Sequence, residues 1–335
     1  MTTPATTTTT TTLRVPAPTR GGTRHLAIAL MSAAAFSMSG PFAKSLLDRG
    51  WSPSAAVAAR ISIAALVLAV PTAHALRGRW HLLRLRMPII LAYGATGVAG
   101  CQLAYFYAVE HLSVGVALLL EYMSPVLLLG LFWIRHRRSP GPMTLAGAAL
   151  AVGGLVLVLD VFGGAHLSAV GVAWGLAASV CSAAYFLIAG QADDDLPPMV
   201  LAGAGMVVGA VLLLALGVLG ITPLHADTAS VIVARHHTSY LVPVLGIALI
   251  SAAFAYSTGV VATRALGTKI ASFVALSEVL FAVLFAWVLI GQDPTWLEIV
   301  GGVLIVTGVA LVRLEESREP DAPAFAPEPL ARLDA

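Results

Sequence analysis

The chain has 335 residues, of which 58% are hydrophobic and only 11% carry a charge. This composition excludes an ordinary soluble domain, in which about a quarter of the residues are charged, and indicates a polytopic membrane protein. The net charge of +2, with its basic residues scattered among short loops, argues against a nucleic-acid partner.

Apolar runs separated by short polar connections follow a polar leader. Residues 1–23 are rich in Thr, cannot bury a core and are expected to form a disordered tail. An apolar run of about 20 residues is typical of a membrane-spanning helix, because backbone groups in hydrocarbon must be bonded internally. Residues 315–335, rich in Pro, Glu and Ala, are expected to form a second disordered tail. The ten predicted runs lie at about 26–47, 53–74, 87–109, 113–134, 142–160, 168–190, 197–220, 240–263, 268–290 and 295–313.

The Lys and Arg residues are unevenly distributed between the loops on the two sides of the membrane. If the N-terminus is cytoplasmic, fifteen of them lie on that side and only Lys44, Arg49 and Arg235 lie on the other. Because short cytoplasmic loops carry the excess of basic residues, both termini are predicted to be cytoplasmic.

The chain also resembles itself. Ser124 aligns with Ser277, and after a one-residue gap Pro140 aligns with Pro294 and Gly147 with Gly301. Residues 24–162 and 166–314 are therefore predicted to be two five-helix repeats, so that the fold class is an all-α integral membrane protein of ten transmembrane helices. Because five is odd, the second repeat has inverted topology, as in alternating-access carriers. The alternative is that two runs rich in Leu, Ala and Gly align by chance.

A carboxylate and a proline lie in the middle of the fourth run. An ionisable residue inside a membrane span is a functional-site candidate by default, which makes Glu121 the first candidate. Pro125 has no N–H to bond the carbonyl of Glu121, so the helix is weakened beside the acid. Pro125 is accordingly a predicted hinge, and Pro41 is a second one in the first run.

Two more ionisable residues are predicted at a similar depth. With a rise of 1.5 Å per residue, Glu121 lies about 12 Å deep and Glu278 about 15 Å deep, and Arg60 matches the depth of Glu121. Arg60 and Glu121 could form a gate or a binding site for a zwitterion; the alternative is a permanent structural ion pair. Glu278 could bind a coupling proton or cation; the alternative is a neutral or hydroxyl-bonded structural acid.

Aromatic and amide residues are predicted to surround the same level. Such side chains can stack on or hydrogen-bond a substrate in a mostly apolar cavity, although each one alone is more often a packing residue. With Arg60 and Glu121, the candidate substrate-binding residues are Gln102, Tyr105, Tyr122, Trp174, Tyr185 and Tyr256.

Motifs of other chemistries are absent from the sequence. There is no HExxH, no phosphate-binding P-loop and no GxSxG elbow, so no recognised hydrolase and no ATP-driven pump is indicated. The histidines of the segment 221–239 have no accompanying Cys or acid constellation. We therefore expect no metal site and no cofactor.

Two stretches carry a resemblance to a known family. They are Leu120-Glu-Tyr-Met-Ser-Pro-Val126 and Ala275-Leu-Ser-Glu-Val-Leu-Phe-Ala-Val-Leu-Phe-Ala-Trp-Val-Leu-Ile-Gly-Gln292, each followed by a glycine-rich run. In these residues the chain resembles the drug/metabolite transporter superfamily, specifically the EamA family of ten-span carriers, over about residues 25 to 313. The family usually ends this ninth span with Gly-Glu, whereas here it is Gly291-Gln292, so a carboxylate role at that position does not carry over.

The resemblance implies a secondary transporter of the cytoplasmic (inner) membrane rather than an enzyme. It implies export of small organic metabolites, such as amino acids or amphipathic compounds, by alternating access. Glu278 is the candidate for proton coupling because of its depth and because no basic residue at a similar depth is left to pair with it. The expected partners are a small-molecule solute and the lipid bilayer, and a homodimer is one assembly the chain could form. The alternatives are a membrane-embedded enzyme or lipid-handling protein that uses an intramembrane carboxylate, and a non-transporting sensor or scaffold.

Overall fold

Helices account for nearly all of the residues that the structure describes. The computed structural model describes residues 20–136, 141–159, 168–190 and 196–316. The helices are α1 (Arg20–Ser37), α2 (Ser39–Leu47), α3 (Pro53–Ala75), α4 (His81–Leu85), α5 (Met87–Tyr93), α6 (Cys101–His111), α7 (Val114–Glu121), α8 (Ser124–His136), α9 (Pro142–Val158), α10 (Ala169–Gly190), α11 (Pro198–Val218), α12 (Leu241–Leu245), α13 (Ala255–Ala275), α14 (Ser277–Ile290) and α15 (Trp296–Glu316). Two π-helical turns, π1 (Gly94–Gly100) and π2 (Gly246–Phe254), join α5 to α6 and α12 to α13. The predicted tails and the predicted boundary between the halves lie almost entirely outside the described residues.

Seven of the described helical segments are long and apolar enough to cross a membrane. They are Thr23–Leu47, Pro53–Ala75, Met87–His111, Val114–Leu131, Pro198–Val218, Leu241–Gly259 and Trp296–Glu315. Three shorter apolar helices accompany them, namely Pro142–Val158, Ala169–Tyr185 and Ser277–Ile290. Each predicted apolar run therefore overlaps an apolar helix, while the number of helices that cross the bilayer stays a prediction.

Proline explains two interruptions of these helical segments. The break between α7 and α8 follows Glu121, whose carbonyl would have accepted a hydrogen bond from an N–H that Pro125 does not have. In the first segment α1 ends at Ser37, four residues before Pro41, for the same reason. Both predicted hinge residues thus lie just after an interruption of a helix.

The predicted connection between the eighth and ninth runs is wrong. The sequence suggests a break between residues 263 and 268, but α13 continues without interruption from Ala255 to Ala275. Ala and Leu in this stretch are strong helix formers, and the single Gly267 costs only about 1 kcal/mol in a helix interior. The helix ends instead just before Leu276, after which α14 begins.

The irregular turns occupy corresponding positions in the aligned halves. The alignment of Ser124 with Ser277 shifts numbers by 277 − 124 = 153, which carries Gly94, the start of π1, to position 247 inside π2. It also carries the break at residues 122–123 to 275–276, where α13 gives way to α14. π-Helical turns are rare and are often found at functional sites.

The most extensive helix contacts join one predicted half to the other. α9 packs on α15, α1 on α13, α3 on α11 and α6 on α10. In the first of these pairs, Gly147 lies against the carbonyl of Gly308, and a Cβ at Gly154 would stand 2.5 Å from the carbonyl oxygen of Gly301. Small residues allow two helix backbones to approach this closely in lipid.

A β-hairpin that the sequence analysis did not predict lies between α11 and α12. Its strands β1 (Val231–Val233) and β2 (His236–Thr238) pair antiparallel, with Val231 opposite Thr238. Val231 is fully buried, and the backbone N–H of Ala234 in the turn donates to the carbonyl of Leu289 at 2.7 Å. The all-α class is otherwise confirmed for the described residues.

The segment before the hairpin is also fastened to the helices. The indole N–H of Trp51 donates to the carbonyl of Asp227 at 2.6 Å, and the backbone N–H of Ser52 donates to the carbonyl of His225 at 2.9 Å. Residues 221–239 therefore form an ordered cap over the α2–α3 connection and the end of α14.

Candidate functional site

Arg60, on α3, lies inside the helix bundle with 3% of its surface exposed. Its Nη1 donates to the hydroxyl of Ser39 at 2.7 Å and to the amide oxygen of Gln102, and its Nη2 donates to the carbonyl of Ser251 at 3.0 Å. The guanidinium carbon stands 5.8 Å from the centre of the Phe106 ring. Every one of these partners is neutral, so the charge is solvated by dipoles.

The irregular backbone of π2 makes one of these acceptors available. In an α-helix the N–H of Ala255 would bond the carbonyl of Ser251, four residues back. Here it donates to the carbonyls of Ile250 and Ala252 instead, which leaves that of Ser251 for Arg60. The hydroxyl of Ser251 is fully buried and has no hydrogen-bond partner.

Glu121 ends α7 and is half-buried beside a thiol. The Sγ of Cys101 lies 3.3 Å from Glu121 Oε1 and 3.6 Å from the carbonyl of Ala178, so the thiol can donate to either. In the described part of the chain no ion pair joins Arg60 to Glu121. Their charges nevertheless interact electrostatically with each other and with that of Glu278. The three ionisable groups thus share one polar region without direct contact between the opposite charges.

Glu278, near the start of α14, is bonded to the phenol of Tyr122. The hydroxyl oxygen of Tyr122 lies 2.9 Å from Glu278 Oε2 and 2.9 Å from the carbonyl oxygen of Ala275. The neighbouring Ser277 donates to the carbonyl of Val274 instead. The hydroxyl partner of Glu278 therefore comes from the interrupted fourth segment.

A small cavity lies beside Arg60 in the middle of the bundle. Gln102 and Tyr256 line it together with Arg60, and apolar side chains such as Ile61 and Met206 complete the wall. It has room for about one water molecule. The conformation is therefore closed around these residues.

The other predicted site residues lie in aromatic contacts around this region. Tyr105 is buried, with its hydroxyl against Gly40. Trp174 stacks on Tyr107, with ring centres 4.7 Å apart, and Tyr185 packs on Tyr93 at 5.2 Å. The structure thus brings Arg60, Gln102 and Tyr256 to one cavity and Tyr122 to Glu278. Trp174 and Tyr185 are engaged with aromatic partners.

Sequence reasoning missed Ser39, Cys101 and Ser251 as members of the site. Cys101 reads as a small packing residue in an apolar run, and only the fold shows that its thiol contacts Glu121. The serines are common residues in such runs. Ser251 lies within residues 247–253, the alignment counterpart of π1, but the sequence did not reveal this because π-helical turns have no local sequence signature.

Gln292, where the resembled family usually has Glu, caps a helix. Its amide oxygen accepts from the backbone N–H of Val114 at 3.1 Å, in the first turn of α7. Beside it, the hydroxyl of Ser113 donates to Glu298 at 2.7 Å. A neutral oxygen can satisfy a free N–H at a helix start, so the substitution keeps this contact without the charge.

Comparison with known proteins gives consistent matches over the helical part of the chain. The family model described as the EamA-like transporter family matches residues 24–160 and 169–314. A curated protein of Salmonella typhimurium (strain LT2), named an uncharacterized inner membrane transporter YicL, is 22% identical over 231 residues, which are 68% of this chain and 74% of that protein.

A solved structure has the same overall fold. A chain titled only as the crystal structure of a protein superposes with a TM-score of 0.59 and 19% sequence identity, covering 89% of this chain and 99% of its own length.

Proposed function

Because this chain belongs to the EamA-like transporter family, we propose that it is a secondary carrier that exports small organic solutes across the cytoplasmic membrane. The chain is a multi-span membrane transporter, and the Salmonella protein that it resembles is named an inner membrane transporter. The proposed solutes are amino acids, related metabolites or amphipathic compounds. The proposed orientation has both termini in the cytoplasm, as the basic-residue count predicts.

The observation that carries the proposal is the polar region inside an apolar bundle. Arg60, Glu121 and Glu278 interact electrostatically, and each is bonded by neutral groups. Ionisable residues are costly in a membrane and mark solute or ion pathways. A small cavity at Arg60 supplies the position at which a solute would be held when the helices separate.

The proposed mechanism is alternating access by ten spans, arranged as two five-helix repeats of inverted topology. Three features support two related halves: the paired π-helical turns, the paired breaks, and the crossed glycine contacts of α9 and α15. In those contacts Gly147 meets Gly308 while Gly154 meets Gly301, although the alignment equates Gly147 with Gly301. Such crossing is expected of elements related by a two-fold axis. The breaks near Pro41 and Pro125 are the proposed hinges.

Proton coupling is assigned to Glu278. An intramembrane acid that couples transport must be loaded and unloaded with a proton in different states of the carrier. Glu278 is half-buried, and its carboxylate accepts from the Tyr122 hydroxyl in this closed state. The phenol gives the acid a hydrogen bond without neutralising its charge.

The proposal is tested by flux in sealed proteoliposomes that contain the full chain. The solutes tested are the protein L-amino acids and amphipathic cationic dyes. A growth-resistance screen with amino-acid analogues in an overexpressing strain decides which of them are tested first. A carrier moves a solute unchanged and accumulates it against a gradient when a pH gradient is imposed. Chemical modification of the solute would instead show an enzyme, and neither flux nor modification would leave a sensor or scaffold.

A further inference from the structure

The polar atoms that border the cavity at Arg60 are mainly hydrogen-bond donors. The guanidinium has five N–H groups. Its three bonds, to Ser39, Gln102 and the Ser251 carbonyl, leave two of these donors unused by the described residues. The oxygen of Gln102 is occupied by Arg60, so its NH2 group is what remains for a ligand. Arg60, Gln102 and Tyr256 line the cavity, whereas Ser251 lies behind its wall, next to the lining residue Ala252. We call these four residues the donor cluster.

Two hydroxyls of the donor cluster are unused. Ser251 Oγ is fully buried and has no partner. The Tyr256 hydroxyl, on the cavity wall, makes no hydrogen bond to any residue that the structure describes. A buried hydroxyl without a partner destabilises the protein, and a ligand bonded to Ser251 in another state of the carrier would remove that cost.

The charge of the donor cluster also lacks a bonded counter-ion. Arg60 forms no ion pair within the described residues, and the hydrogen bonds found for the two acids are to Cys101 for Glu121 and to Tyr122 for Glu278. Glu121 and Glu278 act on Arg60 only at longer range, so the direct contacts of this buried cation are all neutral and an anion can still bind it. Guanidinium binds carboxylate through two parallel hydrogen bonds, which favours this group over a single-atom anion.

We propose that the donor cluster binds the carboxylate group of the transported solute. This inference rests on the proposed carrier function and narrows its substrates to organic carboxylates. The apolar part of the wall, with Ile61, Ala64 and Met206, suits a solute whose remaining part is apolar. The cavity now holds about one water molecule, so the carboxylate enters when α3 separates from π1 and π2, which both line it.

The experiment compares matched probes that differ only in the carboxylate. The thermal unfolding temperature of the purified full chain is measured with two matched pairs, benzoate against benzamide and L-phenylalanine against L-phenylalaninamide. The remaining protein L-amino acids, acetate and sodium chloride are measured in the same way. At least one carboxylate should raise the unfolding temperature, and its amide should not. Absence of any carboxylate-dependent shift, or an equal shift by the amide, overturns the proposal.

Variants then assign the shift to the donor cluster. Ser251→Ala and Tyr256→Phe each remove one hydroxyl and keep the charge, and each should weaken carboxylate binding about tenfold. Arg60→Lys should weaken it further, because the ammonium cannot form the two parallel bonds. The matched control is Ser62→Ala on α3, which removes a buried, unbonded hydroxyl of a residue that neither lines the cavity nor bonds Arg60. Unchanged binding in both hydroxyl variants overturns the proposal even if Arg60→Lys does not fold.

The outcomes separate this inference from the carrier function. If chloride alone gives the shift, and carboxylates do not compete with it, the donor cluster is a halide site and the proposal is wrong. Flux of only cationic or neutral solutes would overturn the carboxylate inference and leave the carrier. Carboxylate binding without flux of any solute would instead remove the carrier function.

Discussion

Tyr122 joins two interrupted helices through a single hydroxyl group. It follows the end of α7, and its phenol is within hydrogen-bonding distance of both Glu278 and the carbonyl of Ala275, the last residue of α13. One O–H donates to one acceptor at a time, and an ionised carboxylate is the stronger acceptor. Neutralising Glu278 therefore favours donation to Ala275, which would transmit a change of charge to the break between α13 and α14.

The variant Glu278→Gln is expected to uncouple transport from protons. The amide has a volume similar to that of the neutral acid but cannot be loaded with a proton, so solute exchange should persist while accumulation driven by a pH gradient is lost. Both are measured in proteoliposomes, with Glu298→Gln as the control, because Glu298 is bonded to Ser113 outside the central polar region. Undiminished gradient-driven accumulation by Glu278→Gln would leave Glu278 as a structural acid.

The neutralisation of Arg60 and that of Glu121 are expected to be only weakly coupled, because the two charges interact at a distance without direct contact. No hydrogen bond links the two side chains, since Arg60 is bonded to neutral groups and Glu121 to Cys101. The loss of efflux in the double variant Arg60→Gln with Glu121→Gln should equal the product of the single losses within about threefold. A double variant no worse than either single one would show a direct ion pair in the working cycle.

At the scale of elements, the positions of the helices could be predicted from the apolar runs, but most of their interruptions could not. Pro125 and Pro41 act through the local chain, so the breaks beside them follow from sequence. The break at Leu276 has no proline, and a loop predicted at residues 264–267 is helical. Likewise the partner of Glu278 comes from Tyr122, 156 residues away. Such contacts depend on tertiary packing, which single-sequence patterns do not carry.

The glycine contact between α9 and α15 is expected to be too close to admit even a methyl group. In Gly154→Ala the new Cβ would stand 2.5 Å from the carbonyl oxygen of Gly301. This clash cannot be relieved by a side-chain rotation, because the oxygen belongs to the backbone. Overpacking of this kind costs about 1–3 kcal/mol. The control is Gly153→Ala, since nothing lies within 4 Å of a Cβ at that position. The unfolding temperature in detergent should be lower for Gly154→Ala than for Gly153→Ala. Equal unfolding temperatures would contradict the close contact between α9 and α15.

At the scale of the whole molecule, the proposed orientation places Arg79 in the cytoplasm and Thr228 outside. Both residues are exposed, so single cysteines there should be accessible. In a background with Cys101 and Cys181 replaced by Ala, an impermeant thiol reagent added to intact cells should label position 228 and not position 79. Labelling of position 79 from outside would reverse the orientation drawn from the basic residues.

The crossed packing of the two halves has a consequence for how the protein is made. A ribosome delivers α1, α3, α6 and α9 to the membrane before α13, α11, α10 and α15, their main packing partners, have been synthesised. During that interval Arg60 lacks the Ser251 carbonyl. The nascent first half therefore holds Arg60 by Ser39 and Gln102 alone, and an incompletely bonded charge inside a membrane destabilises it. A chain truncated after residue 167 should be degraded in cells, and co-expression of residues 168–335 as a separate chain should prolong its lifetime in a pulse-chase measurement.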